Sequence, residues 1–182
     1  MALLAEELVE EYFNRKGYFT IRGIKVGVQE IDILGTRVLV SGERENVHIE
    51  VQASIRPISY ISKVPIAAQR NGRPSNSMKR SEEELVLGVE EWVSKKFFNS
   101  KKEKLLKKLF VGTWKRILII NKVKSEAEVE LIKKHRVEVL RLPGLIHDIN
   151  SSTNTIKSAS HADFVDLLAL GQISGNVPDV KT

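Results

Sequence analysis

The clearest indication of the fold comes from residues 28–54, VQEIDILGTRVLVSGERENVHIEVQAS. Apolar and polar residues alternate near both of its ends, and a polar segment that contains Gly42 separates the two alternating runs. Alternation with a period of two predicts β-strands, and a glycine-containing polar segment between two such runs predicts a hairpin turn. The chain is therefore organised around two antiparallel strands.

Polar side chains gather on one face of this predicted hairpin. In the first strand Glu30 and Asp32 share a face, because successive side chains of a strand point to opposite sides. The second strand places three polar side chains on the matching face, namely His48, Glu50 and Gln52. Such a face commonly points to water. An aspartate beside a glutamate on adjacent strands can also hold a hard divalent cation, with a water molecule next to it.

At these positions the chain resembles the PD-(D/E)XK, or restriction-endonuclease-like, nuclease superfamily. Its signature is an Asp, a variable gap, Glu or Asp, any residue and Lys. Asp32 and Glu50 match the acidic positions, whereas Gln52 stands at the lysine and Ile31 at the proline. The resemblance implies that Asp32, Glu50 and the Val51 carbonyl bind Mg²⁺, with Mn²⁺ able to substitute. It also implies that Gln52 orients the attacking water, which a neutral amide does only by hydrogen bonding.

The superfamily often adds a glutamate from the preceding helix to its metal site. Apolar residues recur at helical spacing over residues 3–16, which predicts an amphipathic helix that ends at Gly17. On a helical wheel Glu6 lies beside Phe13 at the edge of the apolar stripe. Glu6 is therefore the candidate for the additional carboxylate. The alternative is that all the glutamates of this helix are solvent-exposed charges.

Residues 55–80 form a basic insertion without any acidic residue, and three prolines interrupt it. Loops this long in compact domains are usually functional or disordered. Because the insertion leaves directly from the Glu50 strand, we expect its cations to contact nucleic-acid phosphates. The cations are Arg56, Lys63, Arg70, Arg73, Lys79 and Arg80.

The surplus of positive charge is confined to one part of the chain. Residues 54–108 contain 13 basic and 6 acidic residues, a balance of +7, and the rest contains 16 and 17, a balance of −1. Part of this charge is the lysine-rich run 95–108, in which leucines are interleaved. A solvated amphipathic face and a phosphate-binding surface explain that run equally well.

The remaining segments complete a mixed α/β fold. Ser81 and Glu84 predict a capping box at the start of a helix, and Ser125 and Glu128 predict a second one. Strands are predicted over 116–121 and 137–142, on either side of the second helix, so they should be parallel. The expected fold class is α/β, with a mixed central sheet flanked by helices in the restriction-endonuclease-like order αβββαβαβ, and an extra C-terminal helix over 160–170.

We expect a nuclease-like domain over residues 1–149, with the basic insertion 55–80, and a C-terminal extension over 150–182. The chain has no cysteine and no apolar run near the roughly 18 residues of a membrane span. These absences predict an intracellular, cytoplasmic protein without a membrane partner. No phosphate-cradling glycine loop or serine-nucleophile motif occurs, which disfavours a nucleotide-driven motor or a classical hydrolase.

The resemblance and the charge together predict a Mg²⁺-dependent endonuclease that hydrolyses phosphodiester bonds in DNA, with RNA still open. Its catalytic residues would be Asp32, Glu50, Gln52 and Glu6, with His48 and Glu30 as further candidates. His48 could contact a phosphate or act as a general acid, and a structural histidine is an equal alternative.

The small size favours a structure-selective enzyme that cuts junction or branched DNA as a homodimer, in the manner of a Holliday-junction resolvase. One alternative is a non-catalytic nucleic-acid-binding protein on the same fold, disabled by the loss of the lysine. The other is a small α/β interaction protein whose carboxylates are solvent charges.

Overall fold

A computed structural model of the protein describes residues 2–54 and 56–151. Within these ranges the elements follow in the order α1 (Ala2–Arg15), β1 (Phe19–Val26), β2 (Gln29–Val38), β3 (Arg44–Gln52), α2 (Ile66–Arg70), α3 (Glu82–Lys96), α4 (Ser100–Leu109), β4 (Trp114–Ile120), α5 (Glu126–Lys134), β5 (Val137–Arg141) and α6 (Leu142–Ser151). No helix in the described part is long and apolar enough to cross a membrane.

The five strands form one mixed sheet in the order β1-β2-β3-β4-β5. The predicted hairpin is confirmed, since β2 and β3 pair antiparallel with Ile33 opposite Ile49. The predicted parallel crossover is also confirmed, because β4 pairs parallel with both β3 and β5. The expected fold class, a mixed sheet flanked by helices, is therefore correct.

Helices cover both faces of the sheet. Val9 and Phe13 of α1 and Leu145 of α6 pack against one face, where Ile49 is a central residue. The other face packs against α3 and α5, through a cluster that includes Phe97. Because β3 is the middle strand, residues 46–50 are buried on both sides. Any polar side chain within residues 46–50 therefore lies inside the protein.

Three elements have bounds that the sequence patterns above did not define. The strand β1 continues through Gly23 to Val26, because glycine accommodates the φ of +69° found there. The lysine-rich run forms a separate helix, α4, whose first turn is capped by the Asn99 side chain. Helix α6 was not among the predicted elements; its Pro143 is compatible with a helix because proline is tolerated in the first turn. The expected helix at 160–170 lies outside the described residues.

Candidate functional site

The Glu50 side chain lies inside the protein, facing α3 and α4 rather than solvent. It is 1% exposed and sits in the buried middle of β3. An ionised carboxylate at such a depth needs charged or hydrogen-bonding partners to offset its lost hydration. Glu50 is therefore not a solvent-exposed charge.

Three side chains supply those partners. Lys96 Nζ lies 2.8 Å from Glu50 Oε2, and Lys102 Nζ lies 2.6 Å from Oε1. His48 Nε2 lies 3.0 Å from the same Oε1. Burial alone would raise the pKa of Glu50, but the His48 hydrogen bond and the charges of Lys96 and Lys102 outweigh it and lower the pKa. Glu50 is consequently ionised at neutral pH.

The two lysines occupy different environments. The Lys102 side chain is 2% exposed and also donates to the Lys96 carbonyl oxygen at 2.8 Å. The Lys96 side chain is 34% exposed. Burial tends to lower the pKa of Lys96, but the charge and hydrogen bond of Glu50 raise it overall. Lys102 is thus fixed in the interior, whereas Lys96 can be reached from solvent.

His48 is fully buried and packs against the ring of Phe97, with ring centroids 5.1 Å apart. Burial lowers its pKa, so the imidazole is neutral. Because ionised Glu50 only accepts hydrogen bonds, His48 Nε2 must carry the proton, and no described atom hydrogen-bonds its Nδ1. A buried neutral ring has no surface for a phosphate, which agrees with the structural alternative for His48.

Asp32 lies beside this cluster on the neighbouring strand. Its Oδ2 accepts a hydrogen bond from the Val51 amide at 2.7 Å, and this bond ties the β2 carboxylate to the residue after Glu50. Burial and then the negative charge of Glu50 raise the pKa of Asp32 to about 6, although the Val51 N–H and Lys96 oppose this rise. The two adjacent carboxylates therefore repel each other.

Glu6 is half-buried at the start of α1. Burial, followed by the charge of Glu30, raises its pKa, and Glu50 contributes in the same direction. Glu6 is therefore within electrostatic reach of the site, and Glu30 beside it is exposed. Among the described residues, however, no three His, Asp or Glu side chains are close enough together to hold a metal ion.

The donor set fits Mg²⁺ as a two-carboxylate site. Mg²⁺ typically takes one or two carboxylates and fills its other positions with water and substrate phosphate oxygens. Asp32 offers an oxygen that accepts none of the hydrogen bonds found in the described part, and Glu50 offers Oε2 if Lys96 moves aside. A cation between them would relieve the repulsion that raises the pKa of Asp32.

Gln52 ends β3, where it borders a cavity of about 790 Å³. The same cavity is lined by Lys96, so the residue at the motif-lysine position and a lysine from α3 face a common space. No side-chain hydrogen bond of Gln52 occurs within the described residues. The polar end of Gln52 is thus available to water or a ligand.

The six cations of the basic insertion divide into two groups. Arg73 pairs with Glu84 at 2.8 Å, and Arg80 donates to Ser62 and stacks on Tyr60 at 4.0 Å. These two arginines hold the insertion together. The other four cations are exposed: Arg56, Lys63, Arg70 and Lys79.

Glu128 anchors the insertion to the domain. Its carboxylate is fully buried and accepts hydrogen bonds from the amides of Ile61 at 2.6 Å and Ser62 at 2.8 Å. The predicted capping box at Ser125 is therefore only half correct. The Ser125 hydroxyl accepts from the Glu128 amide, but the Glu128 side chain turns to the insertion instead of the helix start. The Ser81 capping box is confirmed in full.

Lys96 and Lys102 were not identified from the sequence as partners of Glu50. Seven lysines occur between residues 95 and 108, and their spacing alone does not show which of them point inward. One signal was present, because Lys102 lies four residues before the buried Leu106 and so shares the apolar stripe of α4. A lysine on the apolar stripe of a helix indicates a buried acidic partner.

No protein-family model matches the chain, and no curated protein matches it. Among solved structures, it resembles the crystal structure of a protein of unknown function, AF1548, at 13% identity and a TM-score of 0.48, over 94% of this chain and 79% of that one. It also resembles the MspJI restriction endonuclease in complex with a 27-mer oligonucleotide, at 15% identity and a TM-score of 0.38. That alignment covers 95% of this chain but 31% of the endonuclease. Likenesses this weak concern the fold alone, so the function is argued from the site.

Proposed function

We propose that the protein is a metal-dependent nuclease that hydrolyses phosphodiester bonds, with its active site at Asp32, Glu50 and Lys96. The observation that carries this proposal is the position of Lys96 Nζ, 2.8 Å from Glu50 Oε2 and on the same side as Asp32. The chain has glutamine where the superfamily signature has lysine. A lysine from α3 brings the missing ammonium group to the same pair of carboxylates.

Each residue then has a defined task. Asp32 and Glu50 would hold the cation, the Val51 carbonyl would be a further ligand, and Glu6 would act on the site directly or through water. A bound Mg²⁺ would lower the pKa of a water molecule and offset the charge that develops on the phosphate.

Lys96 donates hydrogen bonds to the attacking water or to a phosphate oxygen, since its ammonium is accessible and its pKa is raised. Gln52 assists by hydrogen bonding from the edge of the same cavity.

DNA is the proposed substrate, with RNA open. The exposed cations Arg56, Lys63, Arg70 and Lys79 lie on the insertion that leaves β3 just after Gln52, so they can contact the backbone that flanks the scissile phosphate. Binding that depends on such contacts weakens steeply as salt increases, because counterions are no longer released favourably.

Selectivity for junction or branched DNA, and action as a Holliday-junction-resolvase-like homodimer, are finer parts of this proposal. They stay predictions from the sequence, and cleavage of junction and branched substrates tests the selectivity.

A second candidate function is non-catalytic nucleic-acid binding on the same fold. One observation favours it, because both Glu50 oxygens already have cationic partners, Lys96 and Lys102. In this candidate Lys96 occupies the place of the metal and keeps the site closed. Both functions require salt-sensitive binding, so binding alone does not separate them.

A cleavage assay separates the two functions. Purified protein is incubated with four-way junction, branched and linear DNA in Mg²⁺, Mn²⁺ or EDTA, beside Asp32→Ala and the exposed control Glu43→Ala. The nuclease predicts products in Mg²⁺ and Mn²⁺ that EDTA and Asp32→Ala abolish, with binding retained. DNA binding without metal-dependent products would establish the non-catalytic function, and full cleavage by Asp32→Ala would refute the assigned site.

A further inference from the structure

The cavity beside Gln52 has the size of a ligand site. Its volume is about 790 Å³, within the range of roughly 300–1,000 Å³ typical of small-molecule pockets. The cavity is walled by residues 61–69 of the insertion, by α3 from Gly88 onward and by the first residue of α4. Because Lys96 also lines it, the cavity opens directly next to the proposed site of cleavage.

The packing of the insertion on α3 keeps this cavity formed. Gly88 of α3 is buried, and a Cβ at that position would lie 2.6 Å from the Lys63 carbonyl oxygen. Only glycine permits this close contact. Glu128 fixes the adjoining Ile61 and Ser62 amides from the other side. The wall that carries Lys63 is therefore held in place before any ligand arrives.

The charge around the cavity favours an anion. Lys63, Lys95 and Lys96 line it, and the single acidic lining residue is Glu91. Both carboxylate oxygens of Glu91 already accept from the Ile66 amide at 3.0 Å. Lys63 and Lys95 are exposed and have no acidic partner in the described part of the chain. A phosphate group is the simplest anion for such a surface.

The interior of the cavity suits a nucleobase. Trp92 and the partly exposed Phe98 contribute aromatic surface, and Ile61 and Val64 contribute aliphatic surface. The Gln52 amide adds a free donor and acceptor. Stacking of a base on an aromatic side chain contributes roughly 1–3 kcal/mol and tolerates any sequence. A base inside an intact duplex is stacked on both faces and cannot enter such a cavity.

We propose that this cavity holds one unpaired nucleotide of the substrate, next to the scissile phosphate. The inference rests on the proposed nuclease function and names its substrate class: nucleic acid with a single-stranded or unpaired segment at the point of cleavage. The base lies against Trp92, and Lys63 and Lys95 contact the phosphates on either side of it. A continuous duplex does not fill the cavity and binds only through surface cations.

Tryptophan fluorescence in EDTA tests binding without cleavage. The chain has two tryptophans, and Trp114 packs beside Phe110 in a separate cluster. In a Trp114→Phe variant the emission therefore reports Trp92 alone. Titration with a short oligothymidylate should quench this emission to saturation. The dissociation constant should be at least about tenfold lower than for a blunt duplex of equal length, as expected for one stacked base.

Two variants locate the binding. Ser94→Phe fills the cavity from α3, and its control Ala127→Phe adds the same ring to the exposed surface of α5. Only Ser94→Phe should raise the single-strand dissociation constant to the duplex value. Lys63→Ala/Lys95→Ala should weaken single-strand binding about tenfold more than Lys108→Ala/Lys134→Ala, which removes the same charge from exposed sites away from the cavity.

The outcomes distinguish this inference from the proposed function. Equal affinity for duplex and single strand, or unchanged single-strand binding in Ser94→Phe and in Lys63→Ala/Lys95→Ala, would overturn the cavity assignment even if metal-dependent cleavage were found. Single-strand preference that both variants remove supports the assignment even if the protein cuts nothing, in which case the nuclease function fails and the nucleotide site stands.

Discussion

Lys102 Nζ lies 2.6 Å from Glu50 Oε1, and both side chains are 2% exposed. A buried ion pair of this kind contributes little net stability relative to an apolar pair, but removal of one partner leaves an uncompensated buried charge. Lys102 also donates to the Lys96 carbonyl oxygen, so it connects α4 with the end of α3. Lys102 is therefore a positioning residue that keeps Glu50 ionised and in place.

Removal of the Lys102 charge should destabilise the fold. We expect Lys102→Met to lower the free energy of unfolding by about 3–5 kcal/mol, because Glu50 then loses its buried cationic partner. Urea denaturation measures this difference. Lys104→Met, at an exposed position of the same helix, is the control and should change stability by less than about 0.5 kcal/mol.

The double variant Glu50→Gln/Lys102→Met should recover most of the lost stability, since no fully buried unpaired charge remains and the Lys96 ammonium is still accessible to solvent. A single-variant loss below about 1 kcal/mol would contradict the buried pair.

The ionised Asp32 carboxylate should lower the free energy of unfolding at neutral pH. Its pKa is raised from 3.8 to about 6, and a pKa difference of one between the folded and unfolded chain corresponds to about 1.4 kcal/mol. Asp32→Asn keeps an acceptor for the Val51 amide and should raise the unfolding free energy by about 2–3 kcal/mol at pH 7.5.

The gain from Asp32→Asn has a defined pH window. Below about pH 3 the Asp32 carboxyl is mostly protonated in both the folded and the unfolded chain, so the gain should vanish there. It should grow between about pH 4 and 6, where the unfolded chain releases the proton first, and then stay constant. Denaturation curves across this range, with Glu43→Gln as the exposed control, would refute the raised pKa if the gain did not depend on pH.

Metal binding should compete with protons at Asp32. Because a carboxylate must be ionised to bind Mg²⁺, we expect the apparent affinity to fall about tenfold for each step of one in pH below about pH 6. The midpoint of thermal unfolding reports this binding, since a ligand that binds only the folded chain stabilises it. Addition of Mg²⁺ should raise the midpoint of the wild type and leave Asp32→Asn unchanged. Equal increases in both proteins would place the metal elsewhere.

Glu128 should control the order of the basic insertion. Glu128→Gln replaces charged acceptors with one neutral acceptor and should destabilise the protein by about 2–3 kcal/mol. Hydrogen exchange at the Ile61 and Ser62 amides should accelerate more than exchange in β3. Exposed Glu126→Gln, at the start of the same helix, serves as the control. Unchanged protection of the two amides would show that other contacts hold the insertion.

Much of the fold could be predicted from alternation and capping residues. The alternation at 28–54 predicts strands directly, and the short apolar run of β4 is consistent with a buried strand. The helix after Leu142 could not be predicted in this way, because a Pro-Gly pair is typical of a turn and only packing against α1 selects the helix. The nuclease-like domain at 1–149 and the extension at 150–182 stay predictions.

The site was predicted only in part. Strand alternation places Asp32 and Glu50 on one face of the sheet, and the antiparallel register of β2 and β3 makes them neighbours. The two lysine partners of Glu50 come from two helices about 50 residues further along the chain, and no local pattern encodes such contacts. The arginines Arg73 and Arg80 show the opposite problem, because their charge is visible in the sequence but their internal partners are not.

The single-turnover cleavage rate of Lys96→Met, alone and combined with Gln52→Lys, tests whether Lys96 supplies the ammonium group of the active site. If Lys96 supplies the ammonium group that the signature places at residue 52, its removal should slow single-turnover cleavage by about 100-fold, as for loss of one preorganised donor. Adding Gln52→Lys should then raise the cleavage rate of Lys96→Met at least about tenfold, because both positions border the same cavity. Exposed Lys104→Met should cleave as the wild type does. Full activity of Lys96→Met would contradict the account.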